Sequence, residues 1–392
     1  MKKSRFHFYI SGEEQEVLPG SALWELPLSG KGPGRDDVVV SGLVRKDRDI
    51  TVGDYFSASC RFLSRNGFLI LISGLNEVLQ KPVLYEHIHQ ISVFLEKHGA
   101  FYHPLKIRVD LTDTQTCFFV LNGAVGNPGL SLIEKEVSLI SKLNQSYPKQ
   151  YLPLVFGLDI LRTPKGIIGF FLGEWFQDYK EFHVTAGNGE RQIVIWESDG
   201  NCRHLPEQSI LPVYREAARI LTYYYDLETF EQVWPWHHAA GDFVLREAGG
   251  QFQVRLITVR GYSPLSEFGV DETEKKNQIL PSLLVFFFNL SLRMRLDRMD
   301  GTGEAVLLGD GVITATVDGF LDALNEKSKT YEYGDLRRIF ISFFNGFSLD
   351  QMVGICITIL ESGEIMNPAE NGLIKRSLES HCRIMQEIFK TV

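Results

Sequence analysis

The sequence has few of the features that mark secreted, membrane-spanning or zinc-stabilised proteins. The N-terminus has no apolar stretch of signal-peptide length before Gly12. The most apolar run, residues 283–288, is too short to cross a bilayer and predicts a buried helix. Five scattered cysteines, an odd number without a CxxC pair, argue against a disulfide framework or a zinc knuckle. We therefore expect a cytoplasmic protein with reduced thiols.

Basic residues do not outnumber acidic residues in this sequence. The formal net charge is −9 at pH 7, which favours solubility and disfavours a general affinity for nucleic acid or anionic membranes. We expect a small-molecule or protein partner of unknown identity. The 392 residues, of which 44% are hydrophobic, are too many for one ordinary core, and they predict two or three folding units.

The first 80 residues predict a small, mostly β accessory domain of unknown role. Short apolar stretches at 38–44 and 68–75 are separated by Gly-, Pro- and Asp-containing turns. A more regular pattern begins near Lys81, where we place a domain boundary. The segments 81–175 and 176–392 are then expected to form two lobes of one larger unit.

The second segment predicts three strands, one helix and two further strands, in that order. Ser131 and Glu134 form a capping box, which places the start of the helix at Ser131. Glu136 falls on the apolar face of this helix, where a carboxylate needs a partner because burying it unpaired is costly. The strands are predicted at residues 91–99, 105–111, 116–125, 151–161 and 166–176.

Beyond residue 176 the pattern is mainly helical. Apolar residues recur at helical spacing in 211–227, 339–347 and 376–389. Between these segments, residues 242–259 alternate in polarity around Gly249-Gly250, which predicts a β-hairpin embedded among helices.

This order of elements resembles the protein-kinase-like superfamily, in particular the aminoglycoside phosphotransferases and choline kinases. The resemblance covers about residues 85–392. It implies an α+β fold with two lobes: a five-stranded N-lobe with one helix, and a helical C-lobe that contains a β-hairpin. It also implies ATP or another nucleotide, together with a divalent metal, as cofactors.

The stretch 234–258 carries most of the resemblance. In the family, an Asp that orients the acceptor hydroxyl precedes a metal-binding Asn by five residues, and a second metal-binding Asp ends the return strand of the hairpin. His237, Asp242 and Thr258 fall at these three positions here. A rival register sets Ala240-Gly241-Asp242-Phe243 against a family His-Gly-Asp-Phe motif and makes Asp242 the catalytic Asp. The first register fits both hairpin strands.

The first lobe departs from the family pattern as well. Asn122 stands where the family has a lysine that grips the nucleotide phosphates, whereas Glu136 matches the helix Glu that pairs with this lysine. Lys97 and Lys106 are the candidate replacement partners of Glu136. The glycine-rich loop is replaced by residues 97–104, whose single glycine and bulky aromatic pair cannot cradle phosphate with backbone N–H groups.

Two functions from different classes remain open at this point. The missing lysine and metal ligand favour a catalytically silent fold, with or without a bound nucleotide, that acts as a scaffold or sensor. The alternative is a non-standard metal- and nucleotide-dependent transferase, with Asp242 and His237 as metal ligands or His237 as the base. In a third interpretation, the histidines at 237 and 238 have no chemical role and only hold the loop in place. Glu174, in the predicted connector, is a further candidate nucleotide contact.

Overall fold

The chain divides into two compact units. The computed structural model describes residues 5–11, 15–28, 50–96, 102–187, 190–197, 201–236, 238–265, 272–362 and 368–392. The first unit comprises residues 1–146 and 153–177, and the second comprises residues 147–152 and 178–392. Both α-helices and multi-stranded sheets are present, so the α+β class is confirmed.

The first unit is built on a six-stranded sheet with the order β1-β2-β3-β4-β6-β5. β1 lies parallel to β2, and every other neighbouring pair is antiparallel. The five predicted strands correspond to β2–β6, and two of them, β3 and β4, match the predicted bounds at both ends. The strands are Phe6–Ile10 (β1), Ile88–Leu95 (β2), Leu105–Leu111 (β3), Thr116–Val125 (β4), Val155–Thr163 (β5) and Gly166–Glu174 (β6).

Two helices cover the two faces of this sheet. Helix α1 spans Val52–Leu79, and its N-terminus is closed by a capping box between Thr51 and Asp54. Helix α2 spans Gly126–Ser146 and begins five residues before the predicted start at Ser131. The helix begins earlier because it continues directly from the end of β4, so the Ser131–Glu134 pair lies inside the helix.

The prediction of a separate β-rich domain over residues 1–80 is wrong. The apolar run 68–75 lies in helix α1, because a short continuous apolar run does not distinguish a strand from a buried helix. Strand β1 joins the main sheet through β2, and α1 shares its apolar core with strands β2–β6. Residues 30–37 and 38–44, the turn and the other predicted strand, lie outside the described residues.

The second unit begins with a three-stranded antiparallel sheet that the pattern did not predict. Its order is β7-β8-β9, so the segment after residue 176 is not simply helical. The predicted hairpin is present: β11 and β12 pair in an antiparallel register around Gly249-Gly250. The strands of this unit are Phe182–Gly187 (β7), Glu190–Trp196 (β8), Cys202–Pro206 (β9), Gln232–Val233 (β10), Phe243–Ala248 (β11), Gln251–Leu256 (β12), Tyr262–Ser263 (β13), Leu296–Arg298 (β14) and Ala305–Leu307 (β15).

Helices form the rest of the second unit. The predicted helices near 211–227, 339–347 and 376–389 correspond to α3, α7 and α9, and the apolar run 283–288 is buried in α5 apart from Val285. A cluster of aromatic rings around Phe287 joins α5 to α6, α7 and α9. The helices are Leu211–Tyr223 (α3), Ala239–Asp242 (α4), Glu272–Met294 (α5), Gly311–Lys327 (α6), Leu336–Phe344 (α7), Leu349–Ser362 (α8) and Pro368–Phe389 (α9).

Among the described helices, no single one is both long and apolar enough to span a bilayer. Helices α7 and α8 reach that length and composition only as a pair, and they are bent by 104° at their junction.

Candidate functional site

The hairpin of the second unit holds Asp242 in a fixed position. Asp242 is the last residue of the short helix α4 and directly precedes β11. Its backbone carbonyl accepts a hydrogen bond of 2.9 Å from the N–H of Ile257, just beyond the end of β12. The turn at Gly249-Gly250 closes the ribbon, with φ angles of 60° and 76° that suit glycine. Asp242 therefore lies at the base of a rigid ribbon, as the sequence predicted.

Arg260 holds the Asp242 carboxylate from the same end of the hairpin. Its Nη1 donates to Oδ2 at 2.9 Å and its Nη2 donates to Oδ1 at 2.7 Å. The side chain of Asp242 is 1% exposed and that of Arg260 is 22% exposed. Two-point pairs of this kind combine charge attraction with fixed geometry. Both carboxylate oxygens are thus already engaged by a cation.

The histidines before Asp242 are placed differently from one another. His237 lies outside the described residues. His238 Nε2 lies 3.5 Å from Oε1 of Glu370 on α9, and Arg298 donates to the same oxygen at 2.8 Å. Burial would raise the pKa of Glu370, but the hydrogen bond and charge of His238, together with Arg298, hold it below its ordinary value. His238 therefore lies against a carboxylate of α9 and links the loop to that helix.

Thr258 lies at the same end of the hairpin as Asp242. It follows β12 by two residues, is half-buried, and precedes Arg260 by two residues. The hairpin thus brings the predicted Asp242 and Thr258 positions together, and it adds Arg260, which the sequence analysis had not singled out. A basic residue two positions beyond the expected second metal ligand was the available signal.

Asn122 and Glu136 lie on the same side of the first unit. Asn122 pairs directly with Phe171 of β6, and directly opposite residues of a sheet share a face. Phe171 packs with Ile133 of α2, so this is the face that α2 covers. Glu136 on α2 is 3% exposed. The predicted burial of Glu136 on the apolar side of the helix is confirmed.

Of the two lysines considered as partners of Glu136, Lys106 lies within the described residues and Lys97 lies outside them. Lys106 lies opposite Val120 and therefore on the same sheet face as Asn122. Its ammonium group, however, lies 5.0 Å from the ring centroid of Phe118 and 4.9 Å from that of Trp175. Such contacts hold a cation over an aromatic surface.

Glu174 lies on the opposite face of the sheet from Asn122 and Lys106. It pairs with Phe119, whose side chain belongs to the core beneath α1. Its backbone N–H donates to the carbonyl of Leu154 at 2.8 Å, and its Oε2 accepts a hydrogen bond from the Leu154 N–H at 3.1 Å. The backbone N–H and the side-chain carboxylate of Glu174 thus both bond to Leu154, the residue that precedes β5.

The described residues do not offer a ready metal site. They contain no group of three or more His, Cys, Asp or Glu side chains that could hold a metal ion. Asp242, the predicted ligand, is already bound to a guanidinium group. A divalent metal at its carboxylate would have to displace Arg260 or lie beside its positive charge.

Comparisons with known proteins leave the family open. No family model matches the sequence, and no curated protein matches it. The Drosophila melanogaster PAN3 pseudokinase shares 8% identity and a TM-score of 0.29 over 78% of this chain and 71% of its own. The apoenzyme of the macrolide 2'-phosphotransferase MphH from Brachybacterium faecium shares 10% identity and a TM-score of 0.29 over 80% of this chain and 97% of its own. Similarities at this level do not establish a common fold.

Proposed function

We propose that the chain is a catalytically silent, kinase-like protein that acts as a scaffold or sensor. The observation that carries this proposal is the two-point pairing of Asp242 with Arg260. The kinase-like assignment itself draws on the chain's own order of elements: β2, β3, β4, helix α2, then β5 and β6, followed by a unit in which helices surround the β11–β12 hairpin.

The charge arrangement at Asp242 opposes phosphoryl transfer. This reaction depends on positioning and on neutralising phosphate charge, chiefly with metal ions and a lysine. In a kinase-like reading, Asp242 occupies a metal-binding or catalytic position. Here its buried carboxylate is neutralised by Arg260, and removing one partner of a buried pair leaves the other charge uncompensated. A metal would therefore compete with an established ion pair.

The residues at two other positions of the family pattern also argue against phosphoryl transfer. Asn122 carries no positive charge to grip phosphates, and Thr258 offers a neutral hydroxyl where a carboxylate is expected. A nucleotide that binds to the silent protein would not be turned over. The alternative transferase would need ATP and a divalent metal, with Asp242 released from Arg260 and His237 acting as the base.

Turnover measurements on the full chain test the proposal. ADP formation from ATP is measured with Mg²⁺ and with Mn²⁺ for the wild type, Asp242→Asn and a control on the same hairpin, the half-buried Arg246→Gln. We expect no ADP above the protein-free rate in any sample, whether or not titration calorimetry detects ATP binding. ADP formation by the wild type and by Arg246→Gln that is lost in Asp242→Asn would overturn the proposal in favour of the transferase.

A further inference from the structure

Helices α8 and α9 bring two cysteine side chains together in the second unit. The Sγ atoms of Cys356 on α8 and Cys382 on α9 lie 3.9 Å apart, although the residues are 26 positions apart in the chain. Both are free thiols and both are fully buried. A disulfide bond joins sulfurs that are about 2 Å apart, so an approach of about another 2 Å would link them. The fold therefore holds a reduced thiol pair close to bonding distance.

The packed position of α8 protects this pair from oxidation. The contact with Cys382 and the burial of the side chain both raise the pKa of the Cys356 thiol well above its ordinary value. Since the thiolate is the form that reacts with oxidants, the packed pair reacts slowly. Neither residue has a surface that an oxidant could reach. Oxidation therefore begins when α8 moves away from α9.

The composition of α8 favours such a local opening. Three of its 14 residues are buried, and all three lie on one face: Met352, Cys356 and Leu360. The middle of the helix contains Gly354 and several β-branched residues, and both kinds of residue lower helix stability. The helix therefore depends on packing through that one face, and opening an element of this kind costs less free energy than global unfolding. The opening exposes Cys356 to solvent.

The oxidation balances with a hydroperoxide as the only other reactant. In the open state, the Cys356 thiolate attacks one oxygen of hydrogen peroxide. The O–O bond breaks, the S–O bond of a sulfenic acid forms, and the departing hydroxide takes up a proton to become water. When α8 closes again, the Cys382 sulfur attacks the Cys356 sulfur. The S–O bond breaks, the S–S bond forms, and the second hydroxide leaves as water with the proton of Cys382.

We propose that Cys356 and Cys382 are a redox-responsive pair, in which oxidation by a hydroperoxide forms a disulfide that fastens α8 to α9. The link joins two helices that would otherwise separate during local opening, so it holds α8 in its packed position. A thiol reductant releases the helix again. The proposal does not depend on whether the protein is catalytically silent.

Peptide mapping of the full-length protein tests the cross-link. The reduced, folded wild type is treated with hydrogen peroxide, its remaining thiols are alkylated in denaturant, and its peptides are identified by mass spectrometry. We expect two peptides joined through Cys356 and Cys382 that have together lost two hydrogen atoms. Oxidation of the exposed Cys202 shows that the peroxide was active. Unmodified Cys356 and Cys382 after complete oxidation of Cys202, or a link that forms only in denaturant, would overturn the proposal.

Amide hydrogen exchange tests the effect on α8. We expect exchange of the α8 amides to slow by at least about tenfold in the oxidised wild type. Peroxide should produce no such slowing in Cys356→Ala or Cys382→Ala. The matched control Cys117→Ala, which removes a buried cysteine of the first unit, should behave like the wild type. A disulfide that leaves α8 exchange unchanged in the wild type would also overturn the proposal.

The rate of disulfide formation tests the need for opening. Leu360→Ala weakens the packing of α8 and should speed disulfide formation by at least about tenfold. Gly354→Ala strengthens the helix, and its added Cβ meets no atom within 4 Å, so it should slow the reaction by about two- to fivefold. Equal rates in the wild type and both variants would overturn the proposal, because the link would then form without opening of α8.

Discussion

Arg260 and Asp242 are 18 residues apart in the chain and form a two-point ion pair at the base of the β11–β12 hairpin. The residues between them form β11, the Gly249-Gly250 turn and β12, so the folded ribbon is what brings the two side chains together. The carboxylate is 1% exposed, which means that its charge has lost nearly all contact with water, and the pair with Arg260 compensates that charge. The same ion pair therefore stabilises the hairpin and occupies both carboxylate oxygens of Asp242.

Breaking this pair should destabilise the second unit. We expect Asp242→Asn to lower the free energy of unfolding by about 1–3 kcal/mol, because a buried charged hydrogen bond is lost. Arg260→Gln should cost about 3–5 kcal/mol, since it removes the cation that is paired with a buried carboxylate. The double variant should cost less than the sum of the single variants. Denaturant melts measure all three, with Arg338→Gln, at an exposed position of the second unit, expected within about 0.5 kcal/mol of the wild type. Strictly additive losses, or an unchanged stability in Asp242→Asn, would show that Asp242 does not depend on Arg260.

Gly123 on β4 has no room for a side chain. A Cβ atom there would lie 1.8 Å from Tyr55 Oη and 2.6 Å from Cε1 of Phe170, and both rings are fully buried. We expect Gly123→Ala to lower the stability by about 1–3 kcal/mol through overpacking. Gly354→Ala in helix α8 is the control, because nothing lies within 4 Å of its added Cβ, and it should be neutral or stabilising by about 0.5–1 kcal/mol. Thermal melts of both variants check this contrast, and a neutral Gly123→Ala would contradict the described packing of Tyr55.

β3 and β4 were predictable at both ends, because the short polar turn at residues 112–115 separates two segments rich in apolar residues. The β7–β8 hairpin was missed although its signal is present: two alternating stretches flank Gly187-Asn188-Gly189. Helix α1 was missed because its second half is a continuous apolar run, which fits a strand equally well.

The candidate site was less predictable than the fold. The spacing of His237 and Asp242 directed attention to the hairpin, and the hairpin exists. Arg260 was visible in the sequence as a basic residue two positions beyond Thr258. Its contact with Asp242 could not be inferred from that position alone, because the contact depends on how the chain leaves β12.

Removal of residues 1–81 should prevent stable folding of the remaining chain. The truncation deletes the edge strand β1 and helix α1, and α1 covers the apolar sheet face formed by residues such as Phe119, Leu121 and Phe170. We expect the fragment 82–392 to be insoluble, or to lose its near-ultraviolet circular dichroism while retaining secondary structure. In the full chain, Phe62→Ala alone should cost about 3–5 kcal/mol, because Phe62 is fully buried in the same core. A soluble fragment with native near-ultraviolet dichroism would restore the separate-domain interpretation.

Lys327 should make the stability of the protein rise with pH above neutrality. Its ammonium group is buried at the end of α6 and donates to the backbone carbonyls of Tyr223 and Tyr225. Burial lowers the pKa of Lys327 to about 7, against the partly offsetting charges of Asp226 and Glu326. Between pH 7 and 9 the unfolded chain therefore binds a proton that the folded chain does not, and stability increases by up to about 1.4 kcal/mol per pH unit. Lys327→Met should flatten this slope.

The measurement compares denaturant melts of the wild type and Lys327→Met at several values between pH 7 and 9. The slope is compared, and not the absolute stability, because the variant also loses two hydrogen bonds. Above this window, burial raises the pKa of tyrosines such as Tyr147, so ionisation of the unfolded chain lowers the stability again. Parallel slopes for the two proteins would show that Lys327 is charged in the folded state throughout the window.

His381 on α9 should make the stability of the protein fall in acid. It is 1% exposed, its Nε2 lies 3.0 Å from Ser291 Oγ, and Arg295 donates to its Nδ1 at 3.4 Å. Burial first, and the charge of Arg295 second, lower the pKa of His381 to about 3. Between pH 6.5 and 3 the unfolded chain binds a proton that the folded chain excludes, so stability falls as the pH falls, by up to about 1.4 kcal/mol per unit. His381→Gln should reduce this loss between pH 7 and 5, and the exposed His89→Gln should not. Denaturant melts at pH 7, 6 and 5 separate the variants, and equal slopes for the wild type and His381→Gln would mean that the imidazole accepts its proton without disturbing α9.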